Sequence, residues 1–427
     1  MRPTLELLRR EPQARLFMAA HLQSSLGTGA GYVALVLIAY ERFRSPWAIS
    51  LILLADFLPA MLLGPLFGAA ADRWSRRWCA VAADIARGVA FIGIGLVGGI
   101  EATLAFALLA GAGSGLFTPA VLAGLPGLVH EERLPAATSL YGAISDLGHT
   151  LGPALAAALL LVAGPETLLI ANGLTFAVSA LLVARLSFGV GPSEELRASI
   201  FVEAGRGLRA TAGMRGVRAL LLASSATVLF AGMMNVGELL LAEDLGAGAS
   251  GFSILVAVYG AGFVAGSLMG SSGGSAAKLK RRYLFGLLAM GLGLLAAALA
   301  PAWPLAVASF AITGAGNGLV LVHERLLLQR TVDEALMGRV FGVSDALGSW
   351  AFGAAFLSAG ALVALLGTRA LFLLAGVGTL LVWAASVWAL RHVWEEPGQA
   401  AVPATGPGPV APFSAAPAVP LRGGAER

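Results

Sequence analysis

Apolar runs of roughly 20 residues or more follow one another along this chain, and the gaps between them hold most of its charges. Six lie near 14–39, 46–71, 78–100, 102–129, 136–163 and 167–188, and six more near 218–241, 250–274, 283–300, 302–328, 338–366 and 368–391. A helix needs about 20 mostly apolar residues to cross a bilayer. The pattern therefore predicts an all-α integral membrane protein with twelve transmembrane helices, some long enough to tilt or protrude. Arg2, Arg9 and Arg10 precede the first run, which is broken by "HLQSSLGTG" and followed by no small-residue cleavage site. That run is expected to remain as a spanning helix.

Composition supports lipid as the solvent. Of 427 residues, 58% are hydrophobic and 12% charged, against about 25% charged in a soluble chain. The net charge of +4 does not point to nucleic acid, because the bases fall in alternate gaps. Arg73, Arg76 and Arg77 lie in one such gap, Arg133 in the next, then Arg197, Arg206, Arg209 and Arg215, then Lys278, Lys280, Arg281 and Arg282, then Arg330 and Arg339. The intervening gaps hold Arg42, Arg44 and Arg369. Positive loops stay on the cytoplasmic side, so both termini are expected there, in a bacterial-type inner membrane. The single cysteine, Cys79, reads as a small packed residue at a helix start.

The longest polar gap divides the helices six and six. The expected organisation is an N-terminal bundle (1–188), a linker (189–217), a C-terminal bundle (218–393) and a disordered tail (394–427) rich in Pro, Ala and Gly. In the linker, "EELRASIFVEAGRGLRA" reads as a short amphipathic helix at the interface or as a plain tether. "AGAGSGL" (110–116) resembles "TGAGNGL" (313–319), and "LYGAISDLG" (140–148) resembles "VFGVSDALG" (340–348). Two halves repeated along the membrane normal are a transporter architecture.

The loop "GAAADRWSRRW" supplies Gly68, Asp72, Arg73, Arg76 and Arg77, with Gly64 one turn earlier. Together with the twelve spans and central linker, it resembles the loop motif of the major facilitator superfamily, with Ser75 in place of a glycine. "SSLGTG", "LPAMLLGPLFG", "LVHEERLPAA" and "GHTLGPALA" are similar to the drug:proton antiporter branch of macrolide and siderophore exporters. In the last of these, Gly148, Gly152 and Pro153 match an antiporter motif and Ala156 replaces a glycine. The chain departs from the branch at Thr28, where an acid is frequent, and in lacking an arginine in helix 4.

The resemblance implies that Asp72 packs near a helix N-terminus of the other half and latches the cytoplasmic side shut, with Gly64 and Gly68 permitting close approach. Positive-inside topology alone explains the arginines but not Asp72. It further implies that helices 1, 4, 7 and 10 line a central cavity. His21, Gln23, Ser24, Ser25, Thr28, Tyr32, Ser114, Asn235 and Asn317 would make that cavity weakly polar, suiting a small amphipathic cargo.

Charges within the membrane are rare and usually functional. Asp56 lies about ten residues into helix 2, roughly 15 Å deep, and is the leading candidate for loading a proton. Asp146 and His149 share a helix face, as a proton relay or as a static packing pair. Glu238 either lines the cavity mouth or reaches water, and His323, Glu324 and Arg325 read as a cytoplasmic ion-pair cluster. With no phosphate-binding loop, metal-ligand cluster or nucleophile–base pair in the sequence, no cofactor, metal or enzymatic activity is expected. The reading is a monomeric secondary transporter exporting amphipathic compounds by proton antiport. A nutrient importer, or a non-transporting sensor on the same fold, are the alternatives.

Overall fold

The computed structural model describes residues 2–188, 213–270 and 274–394. The expected linker helix and the tail beyond Trp394 lie outside the described residues. The described chain is helical: α1 (Arg2–Arg10), α2 (Pro12–Phe43), α3 (Pro46–Arg73), α4 (Arg76–Leu96), α5 (Ile100–Gly124), α6 (Leu134–Leu159), α7 (Pro165–Val183), α8 (Arg215–Gly232), α9 (Met234–Asp244), α10 (Gly248–Gly270), α11 (Ala276–Ala298), α12 (Trp303–Thr331), α13 (Glu334–Leu366) and α14 (Thr368–Ala389). Proline opens α2, α3, α6 and α7, where its missing N–H would have no helical partner anyway. Ser45 caps α3 by accepting from the Trp47 amide at 3.2 Å. Gly367, at φ +85°, makes the turn from α13 to α14, a backbone conformation that favours glycine.

Among the described residues eleven helices are long and apolar enough to cross a membrane, counting α8 and α9 as one span. The helix α6 occupies the position of the fifth predicted span but is not among them. It packs between α2 and α10, and it carries Asp146, His149 and several hydroxyls, of which Asp146 and His149 are exposed. Two other expectations shift. The predicted span 283–300 begins at Ala276, because Ser275 caps the helix and the bases of "AAKLKRR" form its first two turns. The short α1 has no counterpart in the hydropathy pattern; its Leu7 is fully buried and anchors it.

Helices α2 to α7 pack on one another, and α8 to α14 repeat the arrangement. In the first group α3 and α4 flank α5; in the second α10 and α11 flank α12. The glycines fix the register. A Cβ on Gly111 would strike the backbone of Asp56, and one on Gly314 the backbone of Tyr259. Gly113 meets Arg87 and Gly316 meets Met290 in the same way. Asp56 and Tyr259 are therefore equivalent positions, as are Arg87 and Met290, each pair at the same sequence offset as "AGAGSGL" and "TGAGNGL".

The two groups meet at one end only. Away from the basic loops one hydrophobic core spans both groups, joining Val33, Ile38 and Ile49 to Phe252, Phe310 and Phe372. At the basic end there are two cores, one around Phe17, Phe117 and Val183 and another around Leu220, Tyr283 and Leu327. Gly353 and Gly360 of α13 lie against Met61 and Ser50 of α3, and Gly260 of α10 against Thr150 of α6. Nearer the basic end, a Cβ on Gly64, Gly68, Gly142, Gly338 or Gly342 would meet no neighbour within 4 Å. The molecule is closed at one end and open at the basic end.

Candidate functional site

Two buried charges of opposite sign lie together in the first group. Asp84 and Arg87, three residues apart on α4, form an ion pair with Asp84 fully buried. The guanidinium lies 4.0 Å from the centroid of Phe117 and 4.3 Å from that of Phe176, so two aromatic faces take the place of water around it. Gly113 of α5 leaves room for the Arg87 stem. Asp84 Oδ2 and Arg87 Nε have no hydrogen-bond partner. Asp56 of α3 and Tyr141 of α6 are within electrostatic reach of Arg87. The sequence reading missed this pair, although "ADIARG" inside the apolar run 78–100 was a readable signal: an acid and a base at helical spacing at membrane depth. The fourth predicted span, α5, has no arginine; Arg87 stands in the third, α4.

Asp56 itself is half-buried midway along α3. Its backbone is pinned by Gly111, and among the described residues its carboxyl has no ion-pair partner.

The candidates on α2 divide. His21 stacks on Tyr141 at 4.3 Å and its Nε2 lies 2.9 Å from Ser145 Oγ. It is thus buried inside the first group, not in a cavity. Gln23 donates to the Thr175 carbonyl of α7 at 2.8 Å, also away from the centre. Ser24 and Ser25 are buried, and Ser24 donates to the His21 carbonyl of its own helix. Thr28 is half-buried and donates to the Ser24 carbonyl. Ser114 is exposed. Asn317 donates its amide to the Tyr259 hydroxyl at 2.7 Å.

Tyr32 crosses between the groups. Its hydroxyl donates to Glu238 Oε1 at 2.7 Å and lies 3.3 Å from Asn235 Oδ1. Glu238 is 2% exposed, which corrects the expectation that it reaches water: Tyr32 covers it. Just before it the helical run is broken at Met233, between α8 and α9, where Val236 N bonds back to the Met233 carbonyl at 3.2 Å in a tighter turn. His323, Glu324 and Arg325 likewise do not form a surface ion-pair cluster. His323 and Glu324 are buried, and Glu324 accepts from Ser224 of α8 at 2.9 Å.

The last turn of α3 is exposed at Asp72 and Arg73, and among the described residues Asp72 forms no ion pair. Arg77 donates to the Leu186 carbonyl and lies over Trp78; Arg76 is half-buried. Ser75 sits at φ −62°, so the turn makes no demand for glycine there. At the segment before α6, Glu11 is paired with His130 and Arg133. Burial works against its charge, but the hydrogen bonds from His130 and Arg133 outweigh it and hold the Glu11 carboxyl below its usual range.

Gly148 and Gly152 bring α6 against α2: a Cβ on Gly152 would lie 2.6 Å from the Gly29 Cα, and one on Gly148 would lie 2.5 Å from Ser25 Cβ. Pro153 is buried beside them. Asp146 and His149 are exposed, and His149 Nδ1 lies 2.8 Å from the Ser145 carbonyl. They are not an ion pair, so the static-pair reading is set aside. Among the described residues no group of three metal-ligating side chains is present.

A model of the Major Facilitator Superfamily matches residues 17–237 and again 219–423. The chain belongs to that superfamily. The double match corresponds to the two packed groups. The multidrug efflux pump Tap of Mycobacterium tuberculosis (strain ATCC 25618 / H37Rv) is 28% identical over 379 residues, 84% of this chain and 89% of Tap. YfiS of Bacillus subtilis (strain 168), an MFS-type transporter without assigned cargo, is 26% identical over 392 residues, 87% of this chain and 91% of its own length. Among solved structures, the nucleoside transporter NupG aligns with a TM-score of 0.70 at 12% identity, covering 89% of this chain and 99% of NupG. A bacterial homolog of the human lysosomal transporter Spinster, solved inward-facing and unoccupied, aligns at 0.71 and 15%, covering 89% and 98%. At such identities these structures share the fold. The protein is a multi-pass membrane transporter of this superfamily, with relatives named for drug efflux.

Proposed function

We propose that this protein exports small amphipathic compounds across a bacterial cytoplasmic membrane in exchange for protons. Similarity to Tap over most of both chains carries the efflux reading. Acids at membrane depth without a paired cation, Asp56 foremost, support proton coupling, since such groups are costly unless they are used. In this reading the chain has twelve spans, α6 included, acting as a monomer. Both termini and the basic loops are cytoplasmic, so the open end faces the cytoplasm. Residues 1–188 and 218–393 rock as two bundles, joined by 189–217 and followed by a tail from 394.

Asp72, with Gly64 and Gly68, closes the cytoplasmic side when the bundles rock the other way; its exposure fits a latch that is released. Asp56 takes a proton from outside and gives it up inside, and cargo enters between Thr28, Ser114, Asn235 and Asn317.

The test is proteoliposomes of determined orientation holding an imposed proton gradient, with lipophilic dyes and macrolides added in turn. Cargo-evoked proton movement that disappears in Asp56→Asn is the expected result. Cargo flux without proton movement would overturn antiport, accumulation in expressing cells would favour import, and binding without flux would favour a sensor.

A further inference from the structure

Tyr32 and Asn235 stand at the same sequence offset as Asp56 and Tyr259, and as Gly111 and Gly314. They are equivalent residues of the two repeats, and they touch each other. Contact between equivalent positions places them on the axis relating the bundles, where rocking must either preserve or break them together. Glu238 lies one turn beyond Asn235, on the same helix face, and takes the Tyr32 hydrogen bond at 2.7 Å. The tightened turn at Met233 lies immediately before this contact, and such irregularities mark hinges.

We propose that Glu238 is a proton-operated lock on the closed end of the molecule: the Tyr32–Glu238 contact shuts that end when the acid is protonated and releases it when the acid is ionised. Closing the end over a neutral acid buries a polar group that keeps a hydrogen bond. Closing it over a carboxylate removes a full charge from water and offers one phenol in return, which is poor compensation for a buried ion. Among the described residues no cation is paired with it. The phenols Tyr32 of α2 and Tyr259 of α10 interact electrostatically with Glu238, and Glu41, Arg42 and Arg44 at the end of α2, with Glu166 of α7, line a cavity with the adjacent Leu239 and with Glu243. On α3 the acid is Asp56. The residues that α13 and α14 contribute to this core include Phe356, Leu371 and Phe372, while Glu243 and Asp244 lie further along α9 itself. Opening would hydrate Glu238 from the outside, so outside acidity would set the lock directly. The proposal rests on the transporter reading for its place in the cycle, but not on Asp56 or on any cargo.

Spin labels at Glu101→Cys and Leu366→Cys, both exposed and on opposite bundles at the closed end, report the opening in a Cys79→Ser background without cargo. The parent should pass from short to long distances as pH rises, with the slope of one titrating proton, up to about tenfold per pH unit. Glu238→Gln, which keeps an acceptor for Tyr32 but cannot ionise, should stay short at every pH. Tyr32→Phe should move the population towards open throughout and retain the slope, which guards against Glu238→Gln being merely misfolded. Asp56→Asn should keep a pH response that Glu238→Gln removes, so a failure of antiport through Asp56 leaves this result standing. A pH response that survives in Glu238→Gln, or opening as pH falls, overturns the proposal.

Discussion

At the scale of single residues, charge and size each leave a measurable trace. Arg87 is enclosed by Asp84, Phe117 and Phe176, and its equivalent in the second repeat is Met290. Arg87→Met alone strands Asp84 as a buried ion and should lower stability by about 3–5 kcal/mol. Arg87→Met with Asp84→Leu removes both charges, as the second repeat does, and should regain most of that in a detergent unfolding assay. If the double variant is stable yet transports nothing, the pair serves the cycle rather than the fold. At the basic end, the Glu11 carboxyl is held below its ordinary range in the folded protein. A lowered folded pKa contributes stability above the unfolded value, near 4.3, and that stability is lost as pH falls through the folded value. The melting temperature of the parent should therefore drop more steeply below pH 5 than that of Glu11→Gln, and parallel curves would remove Glu11 from the account.

At the scale of elements, most of the helices could be read from hydropathy alone, because each run of about 20 apolar residues between charges has few other folds open to it in lipid. What hydropathy cannot show is which face meets which neighbour. The stripe His21, Ser24, Ser25, Thr28 and Tyr32 looks continuous in sequence, yet His21 faces α6 and Gln23 faces α7, while Tyr32 alone reaches α9. Glu238 and Glu324 sit close enough to helix ends to look like surface groups until Tyr32 and Ser224 are seen over them. Asp84 and Arg87 were legible but outweighed by louder motifs. The contact of α6 with α2 was legible in "GHTLGPALA", since glycines spaced by four make a smooth strip. Gly152→Leu should push α2 and α6 apart, costing about 1–3 kcal/mol. The same change at Gly142, with open space around it, should leave the melting temperature within a degree or two.

At the scale of the whole molecule, one core at the closed end and two at the open end imply that the described state is one of a pair. The sequence announced the repeat but not the state, because hydrophobic pattern is the same whichever end is closed. The contacts across the closed end are of two kinds: glycines against neighbouring side chains, as in Gly360 on Ser50, Gly353 on Met61 and Gly260 on Thr150, and the ring of Phe57 on α3 against Phe352 and Phe356 on α13. The three rings are the side chains that must disengage for the end to open, and the glycine contacts let the surfaces slide. They are a seam rather than a weld, and durability there is a defect. A substitution or a small molecule that packs α13 more firmly onto α3 would raise the melting temperature and slow turnover in the same stroke. Under the proposed transport cycle, resistance to heat and speed of transport would be antagonists at one seam, and the tightest binder of that seam would be an inhibitor.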